Sequence, residues 1–397
     1  MTIRSKFLAH IARTSPFPLK FEVSKAEGCR IFDQEGKSYI DFISGIGVSN
    51  LGHANQHILK AIHAQTNEYL HTMVYGEHIQ SPQVSLATLL TENLPISLDQ
   101  VYFHSSGTEA IECALKLAKK YTGKSKIVAC KNAYHGSTYG AMSLMSDTSK
   151  TAGYGPVMPN VSHIEFNNLY DLNTIDEYTA AVITEVIQAE AGIQTPDPQF
   201  LIALQQKCEQ NGVLIIFDEI QTGMGRTGSL FAFQYYGITP DILVLGKSLG
   251  GGLPLSACIA HHTLMNAIAD NPPLSHMTTF GGHPLSCAAG LASMQLILST
   301  RMIEESRDKA AFLIDKIQDH ILVKKIRAAH GLWMAIDLND ADLVQKIIPI
   351  AQEKGLLIDW FLFNDKSIRI APPLNIEYPD LEIAARILKD SFDQVCN

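Results

Sequence analysis

The stretch DILVLGKSLGGGLPL, at residues 241–255, sets one lysine, Lys247, at the end of an apolar run and close to three consecutive glycines. An amine in a site that excludes water loses its proton readily and can attack a carbonyl group. Glycines allow a flat molecule to approach the backbone closely, because they carry no side chain. The pattern therefore predicts a lysine that reacts covalently with a flat cofactor.

A phosphate-binding P-loop and an ordinary surface loop are the two alternatives for Lys247. Gly246-Lys247-Ser248 matches the end of a P-loop, but that motif requires a glycine five residues before its final glycine. Asp241 stands at that position, so the motif fails. A surface lysine in a glycine-rich loop is the simpler alternative, and it leaves the apolar strand before Lys247 unexplained.

Further polar residues stand where predicted strands end. Asp218 ends the run VLIIFD, and Ser105-Ser106-Gly107-Thr108 follows VYFH and opens a predicted helix. Backbone N–H groups at a helix N-terminus bind phosphate, and a buried carboxylate can hold a protonated pyridine nitrogen. Each feature alone is often only a helix cap or a turn, so the prediction rests on their combination with Lys247. That combination fits pyridoxal 5′-phosphate as the cofactor.

The elements that position these groups alternate between short apolar runs and helical patterns from residue 100 to residue 260. The apolar runs are nearly continuous, as in strands that are covered on both faces. We therefore predict an α/β fold with a doubly wound, mostly parallel sheet, whose ligands bind outside the carboxyl ends of the strands. The predicted strands are Val101–His104, Lys126–Cys130, Ala180–Val186, Val213–Asp218, Ile242–Gly246 and Leu255–Ala260, and the predicted helices are Thr108–Tyr121 and Gln199–Gln210.

The two ends of the chain have different patterns. Residues 20–50 alternate as in a β-meander with a turn at Gln34–Lys37. Residues 301–397 alternate helices with strands such as Leu332–Leu338 and Ser367–Ala371.

These patterns predict two domains. A large cofactor-binding domain comprises residues 51–298, and a small α/β domain combines residues 1–50 with residues 299–397. Apolar residues at helical spacing in the first eleven positions predict a short amphipathic helix at the start of the chain.

Composition excludes several other classes of protein. The chain has 397 residues, of which 46% are hydrophobic and 18% charged, so it can bury a sizeable core. Its net charge of −9 and the lack of a long basic run disfavour nucleic acid and anionic membranes as partners. The seven cysteines are odd in number and form no CxxC pair. We therefore expect reduced thiols in a cytoplasmic enzyme, with neither a disulfide framework nor a metal site.

Six stretches carry a resemblance to one known family. With them, the chain resembles the class III, or ω-amino, pyridoxal-phosphate-dependent aminotransferases over nearly its whole length, within the acetylornithine, ornithine and 4-aminobutyrate aminotransferase group. The interval from Asp218 to Lys247 is also that of the family. The resemblance implies the fold type I of these transferases and a homodimer with shared active sites. The stretches are FHSSGTEAIECALKLAKKYTG (103–123), AYHGST (133–138), IIFDEIQTGMGRTG (215–228), DILVLGKSLGGGLP (241–254), TTFGGHPLSC (278–287) and IRIAPPLNI (368–376).

The resemblance assigns roles around the cofactor. It implies that Lys247 binds the cofactor covalently and moves the substrate proton, and that Asp218 holds the pyridine nitrogen. Gln221 is placed near the phenolic oxygen of the cofactor, and Tyr134 is placed against its ring, where a core aromatic would be the simpler interpretation. Thr279 is expected to reach the phosphate in the neighbouring subunit. The other expected cofactor-binding residues are Ser106, Gly107 and Thr108, which hold the phosphate, and His135 and Glu185.

The resemblance also implies a glutamate–arginine gate formed by Glu190, in IQAEAG, and Arg369, in IRIAPP. In that gate the arginine binds a carboxylate of the keto acid, and the glutamate covers the arginine while the amine donor is bound. The family therefore implies 2-oxoglutarate as the acceptor, with pyruvate as an alternative.

Ser137 departs from the family. Enzymes for acetylornithine, ornithine or 4-aminobutyrate usually read HGRT where this chain has residues 135–138, HGST, and that arginine binds a substrate carboxylate. A serine cannot make a charged, forked contact. Ornithine enzymes also have tyrosines where Pro16 and Ile46 stand, which disfavours ornithine as the donor. Ser137 and Ile46 are the expected substrate-binding residues on the donor side.

The function implied is transamination of the terminal amine of an ω-amino compound, resembling acetylornithine or 4-aminobutyrate, with a keto acid. Other functions stay open on the sequence alone. Diaminononanoate-type aminotransferases have another small residue at the position of Ser137. An isomerase of the same fold, such as a racemase, epimerase or aminomutase, would need no keto acid. A cofactor-binding protein without a catalytic role is disfavoured by the intact pair of Lys247 and Asp218.

Overall fold

The computed structural model describes residues 2–16, 18–19 and 21–396. The strands in this part of the chain are β1 (Val23–Glu27), β2 (Arg30–Asp33), β3 (Ser38–Asp41), β4 (Gln100–His104), β5 (Lys126–Cys130), β6 (Val161–Ile164), β7 (Thr179–Glu185), β8 (Leu214–Asp218), β9 (Ile242–Leu245), β10 (Ser256–Ala260), β11 (Lys325–Ala328), β12 (Met334–Asp337), β13 (Leu356–Leu357), β14 (Asp359–Trp360) and β15 (Ser367–Ile370).

The α-helices in the same part of the chain are α1 (Ile3–His10), α2 (Ser44–Gly47), α3 (Gln56–Glu68), α4 (Ser81–Glu92), α5 (Gly107–Thr122), α6 (Tyr139–Met142), α7 (Thr148–Thr151), α8 (Pro198–Asn211), α9 (Ala232–Tyr236), α10 (His262–Ala269), α11 (Pro284–Ser299), α12 (Met302–Ile317), α13 (Ala341–Glu353) and α14 (Tyr378–Cys396). Short 3₁₀ helices lie at Tyr170–Thr174 and Lys247–Gly250. Among the described residues, no helix is both long and apolar enough to cross a bilayer.

A seven-stranded sheet in the order β4-β10-β9-β8-β7-β5-β6 forms the centre of the molecule. The strands from β9 to β6 pair in parallel, and β10 is antiparallel to both of its neighbours. The ten residues between β9 and β10 are shorter than the crossover that a parallel pair needs, so β10 turns back beside β9. The predicted α/β fold with a mostly parallel sheet is confirmed.

The predicted strands of this sheet are present, and each of their ends agrees with the prediction to within one residue. Strand β7 is buried along its whole length, which explains its continuous run of apolar residues. One apolar cluster covers the face of the sheet that α5 and α10 contact, and a larger one covers the face below α8 and α11. The sheet is thus covered by helices on both sides.

Helix α5 begins where the sequence predicts a phosphate-binding turn. The Glu109 carboxylate accepts hydrogen bonds from the backbone N–H groups of Ser105 and Ser106, at 2.8 and 3.2 Å. These bonds fix the backbone just before the first helical turn. The helix ends at Thr122 and is capped by Gly123, which adopts a left-handed conformation with φ of 69°.

The two ends of the chain form smaller sheets. Strands β1, β2 and β3 make the predicted meander, which β13 extends in the order β1-β2-β3-β13, and a second sheet has the order β11-β12-β15-β14. A separate apolar cluster joins Cys29, Ile40 and Phe42 to residues between 310 and 392. The domain boundaries at residues 50 and 298 stay a prediction.

The helix predicted at the start of the chain is α1. It ends at His10 because Ile11 has an extended backbone, with φ of −103° and ψ of 121°. An amphipathic helix is expected to pack its apolar side against the protein, but no described residue of α1 is buried, and Ile3 is 64% exposed.

A buried arginine fastens the terminal segments to the large sheet. Arg226 donates hydrogen bonds to the carbonyl oxygens of Leu332 and Pro372, at 3.0 and 2.7 Å, and to Asn50 Oδ1 at 2.5 Å. Burial lowers the pKa of Arg226 to about 9. Its hydrogen bonds bring the segment after β15, which includes Pro372, next to the loop that follows β8.

Candidate active site

A cavity of about 300 Å³ lies beside the carboxyl ends of β7, β8 and β9 and the N-terminus of α5. Most of the residues predicted for the site line it. The lining residues are Gly107, Thr108, Tyr134, His135, Gly136, Ser137, Glu185, Ala189, Glu190, Asp218, Ile220, Gln221, Thr222 and Lys247. The position agrees with the rule that open α/β sheets bind ligands at the carboxyl ends of their strands.

Lys247 enters the cavity from a strained backbone. It follows β9 by two residues and has φ of 46°, in the left-handed region that a lysine rarely adopts. Such a conformation costs about 1–3 kcal/mol and persists where the surrounding structure imposes it, often at functional sites. The Lys247 ammonium donates a hydrogen bond to Gln221 Oε1 at 3.2 Å.

Burial lowers the pKa of Lys247 from its ordinary value. The nearby carboxylates of Asp218, Glu190 and Glu185 offset part of this effect, and Arg369 adds to it. The amine therefore loses its proton more readily than a surface lysine does, as a nucleophile requires.

Asp218, the last residue of β8, is oriented by two hydrogen bonds. Its Oδ2 lies 2.7 Å from His135 Nδ1, and its Oδ1 accepts from the backbone N–H of Ile220 at 2.9 Å. Burial alone would lower the pKa of His135, but the bond and charge of Asp218, with a contribution from Glu185, raise it. The raised pKa favours a positive charge on His135, which would stabilise the negative charge of Asp218.

The site has the features that pyridoxal 5′-phosphate requires. Asp218 lines the cavity and keeps free acceptor sites, because each carboxylate oxygen can accept two hydrogen bonds. Gln221 Nε2 is a buried donor that no described residue pairs with, beside the cavity where the phenolic oxygen of the cofactor is expected. At the other end, the first N–H groups of α5 have no partner within the helix. Asp218 thus suits the pyridine nitrogen, Gln221 suits the phenolic oxygen, and the N–H groups of α5 suit the phosphate.

Glycines keep the phosphate end of the cavity open. A Cβ atom at Gly107 would lie 2.7 Å from Ile220 Cδ1, and one at Gly136 would lie 2.3 Å from Thr108 Oγ1. Both distances are too short for real contacts, so a side chain at Gly107 would have to displace Ile220, and one at Gly136 would also be strained by a φ of 129°. The backbone can therefore come close to a bound phosphate.

Glu185 acts on the loop that carries Tyr134. Its two carboxylate oxygens accept hydrogen bonds from the backbone N–H groups of Tyr134, at 3.2 Å, and Ala189, at 2.7 Å. Burial raises its pKa to about 7, and the charge of Asp218 adds to the shift. The Tyr134 hydroxyl lies 3.1 Å from Ser137 Oγ, so the residue that replaces the family arginine contacts the aromatic residue predicted beside the cofactor.

Arg369 and Glu190 form a forked ion pair. The distances from Arg369 Nη1 and Nη2 to the two Glu190 oxygens are 2.7 and 3.2 Å. Arg369 Nε also lies 3.1 Å from Asp359 Oδ1. Burial would lower the pKa of Arg369, but the carboxylates of Asp359 and Glu190 raise it. Glu190 thus covers the arginine that the resemblance assigns to the keto acid, and Asp359 holds the other side of the guanidinium.

Four of the predicted residues do not line this cavity. Arg369 lies behind Glu190, and the Ser106 carbonyl accepts a hydrogen bond from Ser256 at 2.6 Å. Ile46 is 41% exposed in a left-handed turn, next to Gly47, where an added Cβ atom would lie 3.5 Å from Gln221 Cγ. The remaining residue, Thr279, lines a separate cavity that also includes His104 and Ser105.

The sequence analysis did not identify some residues of the site. Ile220 and Thr222 line the cavity, and their signal was their place in the same turn as Asp218 and Gln221. Asp359 had no signal in the sequence, because it reaches Arg369 only through the pairing of β14 with β15, in which Asp359 lies opposite Arg369.

Comparisons with known proteins agree with this geometry. The family described as "Aminotransferase class-III" matches residues 11–392. The acetylornithine aminotransferase of Bacillus cereus is 38% identical over 370 residues, which cover 93% of this chain and 94% of the relative. The acetylornithine aminotransferase of Methanopyrus kandleri is 36% identical over 389 residues, covering 96% of each chain.

A solved structure agrees as well. The ornithine aminotransferase of Toxoplasma gondii has a TM-score of 0.90 and 27% sequence identity, and the match covers 98% of this chain and 94% of the other. That structure contains pyridoxal phosphate, at partial occupancy, in its active site. With its fold type I architecture and a cavity lined by Lys247 and Asp218, this chain belongs to the class III aminotransferases and is an enzyme that depends on pyridoxal 5′-phosphate.

Proposed function

We propose that the enzyme transfers the terminal amine of an ω-amino compound to 2-oxoglutarate. The observation that carries this proposal is the forked pair of Arg369 and Glu190 at 2.7 and 3.2 Å. A guanidinium forms charged, bidentate hydrogen bonds with a carboxylate. Arg369 could therefore release the carboxylate of Glu190 and bind the second carboxylate of an acceptor such as 2-oxoglutarate. An isomerase needs no such exchange, so the pair favours transamination over that alternative.

When bound, pyridoxal phosphate supplies an aldehyde that accepts amines and a ring that withdraws electrons. In the proposed mechanism, the Lys247 amine would hold the cofactor until a donor amine binds, and it would then be free to act as a base. It next takes a proton from the amine-bearing carbon of the substrate. Asp218 would hold the protonated pyridine nitrogen, and His135 fixes the orientation of Asp218.

Glu190 and Arg369 would separate the two halves of the reaction. With the donor bound, Glu190 neutralises Arg369, and the guanidinium does not attract a carboxylate. With the keto acid bound, its distal carboxylate takes the place of Glu190. Asp359 keeps its contact with Arg369 Nε, at 3.1 Å, and so holds the guanidinium in place during the exchange.

The donor is proposed to resemble N-acetylornithine or 4-aminobutyrate. The curated relatives that share 35–38% of their sequence with this chain are acetylornithine aminotransferases. Next to the main cavity, a second cavity of about 470 Å³ shares Tyr134 and Ser137 with it and also includes Lys150. A donor that passes Ser137 would meet this ammonium, which can attract a carboxylate as a point charge. A diaminononanoate-type donor remains the alternative for a pocket without the family arginine.

We further propose a homodimer in the cytoplasm. Thr279 lines a cavity next to the start of α5 rather than the Lys247 cavity, which suits a residue that serves the neighbouring subunit. The cysteines are free thiols, as a reducing compartment favours.

The half-reactions test this function. The purified enzyme is mixed with each candidate donor in the absence of a keto acid, and the absorbance spectrum of the cofactor is recorded. We expect N-acetylornithine or 4-aminobutyrate to convert the cofactor stably to its amine form, and 2-oxoglutarate to reverse the change more efficiently than pyruvate. Rapid return of the original spectrum without a keto acid, together with rearrangement of the substrate, would support an isomerase instead.

A further inference from the structure

Residues 360–363, with the sequence WFLF, lie against the pair of Arg369 and Glu190. Trp360 is the last residue of β14, and the register of β14 with β15 places it opposite Ile368, next to Arg369. Strand pairing therefore holds the start of this segment beside the guanidinium. Each of the four residues contacts the pair, and none of them has a role in the proposed mechanism so far.

Two of the contacts hold the guanidinium of Arg369. Its Nη2 donates a hydrogen bond to the backbone carbonyl of Trp360 at 2.7 Å. Its Cζ lies 4.8 Å from the centre of the Phe361 ring, within the range of a cation–π interaction. Neither contact involves Glu190, so both can persist when that carboxylate leaves the arginine.

The other two contacts are made to Glu190. The backbone N–H of Leu362 donates to Glu190 Oε2 at 2.8 Å, and the same oxygen lies 3.2 Å from Arg369 Nη2. The backbone N–H of Phe363 donates instead to the backbone carbonyl of Glu190 at 3.0 Å. The carboxylate that covers the arginine therefore also holds Leu362, whereas Phe363 is attached to the main chain.

A movement of the Glu190 carboxylate would thus act on the middle of the segment. Trp360 and Phe361 would stay on the guanidinium. Phe363 would stay on the main chain of Glu190. Leu362 would lose the acceptor of its N–H group, and a hydrogen bond to a carboxylate is stronger than one to a neutral oxygen. Leu362 is therefore the residue of this segment whose position depends on the gate.

The side chain of Leu362 is part of the wall of the second cavity, of about 470 Å³, which meets the Lys247 cavity at Tyr134 and Ser137. Apolar and aromatic walls of this kind suit an apolar part of a ligand. The other residues that line the second cavity are Tyr139, Met142, Met145, Lys150 and Tyr154.

We propose that Leu362 determines specificity for the amine donor and that Glu190 holds it in place while the gate is closed. The inference rests on the proposed function, in which Glu190 covers Arg369 for the donor and leaves it for the keto acid. With the gate closed, the second cavity has its wall at Leu362 and holds an apolar part of a donor that extends past Ser137. With the gate open, this wall is released, and the keto acid depends on Arg369. One carboxylate then sets both the charge and the shape of the site.

The two half-reactions are measured separately, from the absorbance spectrum of the cofactor in single turnovers. The donor is N-acetylornithine or 4-aminobutyrate, whichever converts the wild type faster. Leu362→Ala should lower the second-order rate constant for this donor by about tenfold, the lower end of what a missing methylene in an apolar pocket changes. The rate constant for 2-oxoglutarate should stay as in the wild type. Equal losses in both half-reactions, or no loss with the donor, would overturn the proposal.

Leu298→Ala is the matched control for this variant. Leu298 lies in α11 and is 40% exposed, against 41% for Leu362, and it lines neither of the two cavities. Loss of a half-exposed leucine is therefore the same in both variants, and Leu298→Ala should change neither half-reaction. A donor-specific loss in Leu298→Ala equal to that in Leu362→Ala would contradict a role for the second cavity.

The dependence on Glu190 is tested by combining two changes. In Glu190→Ala no carboxylate holds Leu362, so the further change Leu362→Ala should have lost most of its effect on the donor half-reaction. Such non-additivity measures the coupling between two residues. An effect of Leu362→Ala that is equal with and without Glu190 would show that the gate does not position this residue, and it would overturn the proposal.

Hydrogen exchange tests the same contact in the wild-type holoenzyme, without any substitution. Glutarate has the two carboxylates of 2-oxoglutarate but no keto group, so it can take the place of Glu190 on Arg369 without reacting. We expect faster deuterium uptake at the N–H of Leu362 in saturating glutarate and unchanged uptake at Phe363, resolved by fragmentation in the mass spectrometer. Unchanged uptake at Leu362 would contradict the proposal.

The wild-type half-reactions separate this inference from the proposed function. A wild type that neither donor converts, or that 2-oxoglutarate does not restore, would contradict the proposed function and the role of Leu362 with it. A wild type that carries out both half-reactions, but in which Leu362→Ala affects them equally, would contradict the role of Leu362 alone.

Discussion

His135 Nδ1 lies 2.7 Å from Asp218 Oδ2, in a pair whose side chains are at most 4% exposed. The imidazole therefore fixes the carboxylate that we expect to hold the pyridine nitrogen. A buried carboxylate is costly unless it is paired and hydrogen-bonded, and Asp218 has one such partner on each oxygen. The arrangement keeps the Asp218 carboxylate oriented before the cofactor arrives.

Asp218→Asn should therefore weaken catalysis more than it weakens folding. The amide keeps the shape of the side chain but cannot neutralise a protonated pyridine nitrogen. We expect cofactor affinity and kcat to fall sharply, measured by cofactor titration and steady-state kinetics. Asp241→Asn is the control, because Asp241 accepts a backbone hydrogen bond at the other end of the same sheet. A loss of less than a few-fold at Asp218, similar to that at Asp241, would make Asp218 only a structural residue.

The gate predicts an effect that depends on the acceptor. Charged hydrogen bonds contribute about 1.5–3 kcal/mol, which corresponds to roughly 10- to 100-fold in affinity. Arg369→Ala should therefore raise KM for 2-oxoglutarate far more than KM for an uncharged aldehyde acceptor. Arg327→Ala serves as the control, since Arg327 pairs with Asp337 on a neighbouring strand. Equal increases for both acceptors would exclude a gate formed by Arg369.

The charge of Glu190 should be visible in the titration of Lys247. Glu190 raises the pKa of that lysine and Arg369 lowers it, while burial keeps it below the ordinary value. Glu190→Gln removes the first effect and leaves the second, so the pKa of Lys247 should fall further. The apoenzyme should then react with pyridoxal phosphate at a lower pH than the wild type does, in stopped-flow measurements across the pH range. A shift to higher pH would show that Glu190 does not act on Lys247 in this way.

Replacing Ser137 should change which amine donors the enzyme prefers. Its hydroxyl contacts Tyr134 at 3.1 Å and lies between the two cavities, where an arginine would face the donor. Ser137→Arg adds bulk, which has a cost, but a fork to a carboxylate should still contribute on the order of 1.5–3 kcal/mol. We expect kcat/KM for N-acetylornithine or 4-aminobutyrate to rise relative to that for an uncharged amine.

Ser137→Met is the matched control for this change, because it adds bulk without charge. Efficient use of N-acetylornithine by the wild type, with no gain from the arginine, would contradict the idea of an altered donor pocket. In that case Lys150, in the second cavity, is the basic side chain to replace next.

Runs of apolar residues in the sequence predicted the strands of the large sheet. Strands such as β7 and β8 are buried on both faces, so their apolar runs are continuous and their ends are clear. Lys247 and Asp218 could be predicted because each follows or ends such a strand. The direction of β10 was not predicted, because it depends on the length of the connection from β9 rather than on the strand's own residues.

Contacts between residues that are far apart in the sequence could not be predicted from such runs. Asp359 reaches Arg369 through the register of β14 and β15, and His104 at the end of β4 meets His276 in the loop after α10, with their Nε2 atoms 3.2 Å apart. The spacing of apolar residues in α1 predicted a helix correctly. Spacing does not show whether another element packs against the apolar side of the helix, and Ile3 is exposed.

The most direct test of the account is the position of the covalent bond to the cofactor. The holoenzyme is treated with borohydride, which makes the bond permanent, and its peptides are analysed by mass spectrometry. We predict the mass of the cofactor on the peptide that contains Lys247. In Lys247→Ala this modification should be absent and turnover should fall by roughly 10²- to 10⁴-fold or more, whereas Lys131→Ala, at a surface ion pair, should behave as the wild type. A modified lysine elsewhere, or near-normal turnover in Lys247→Ala, would contradict the account.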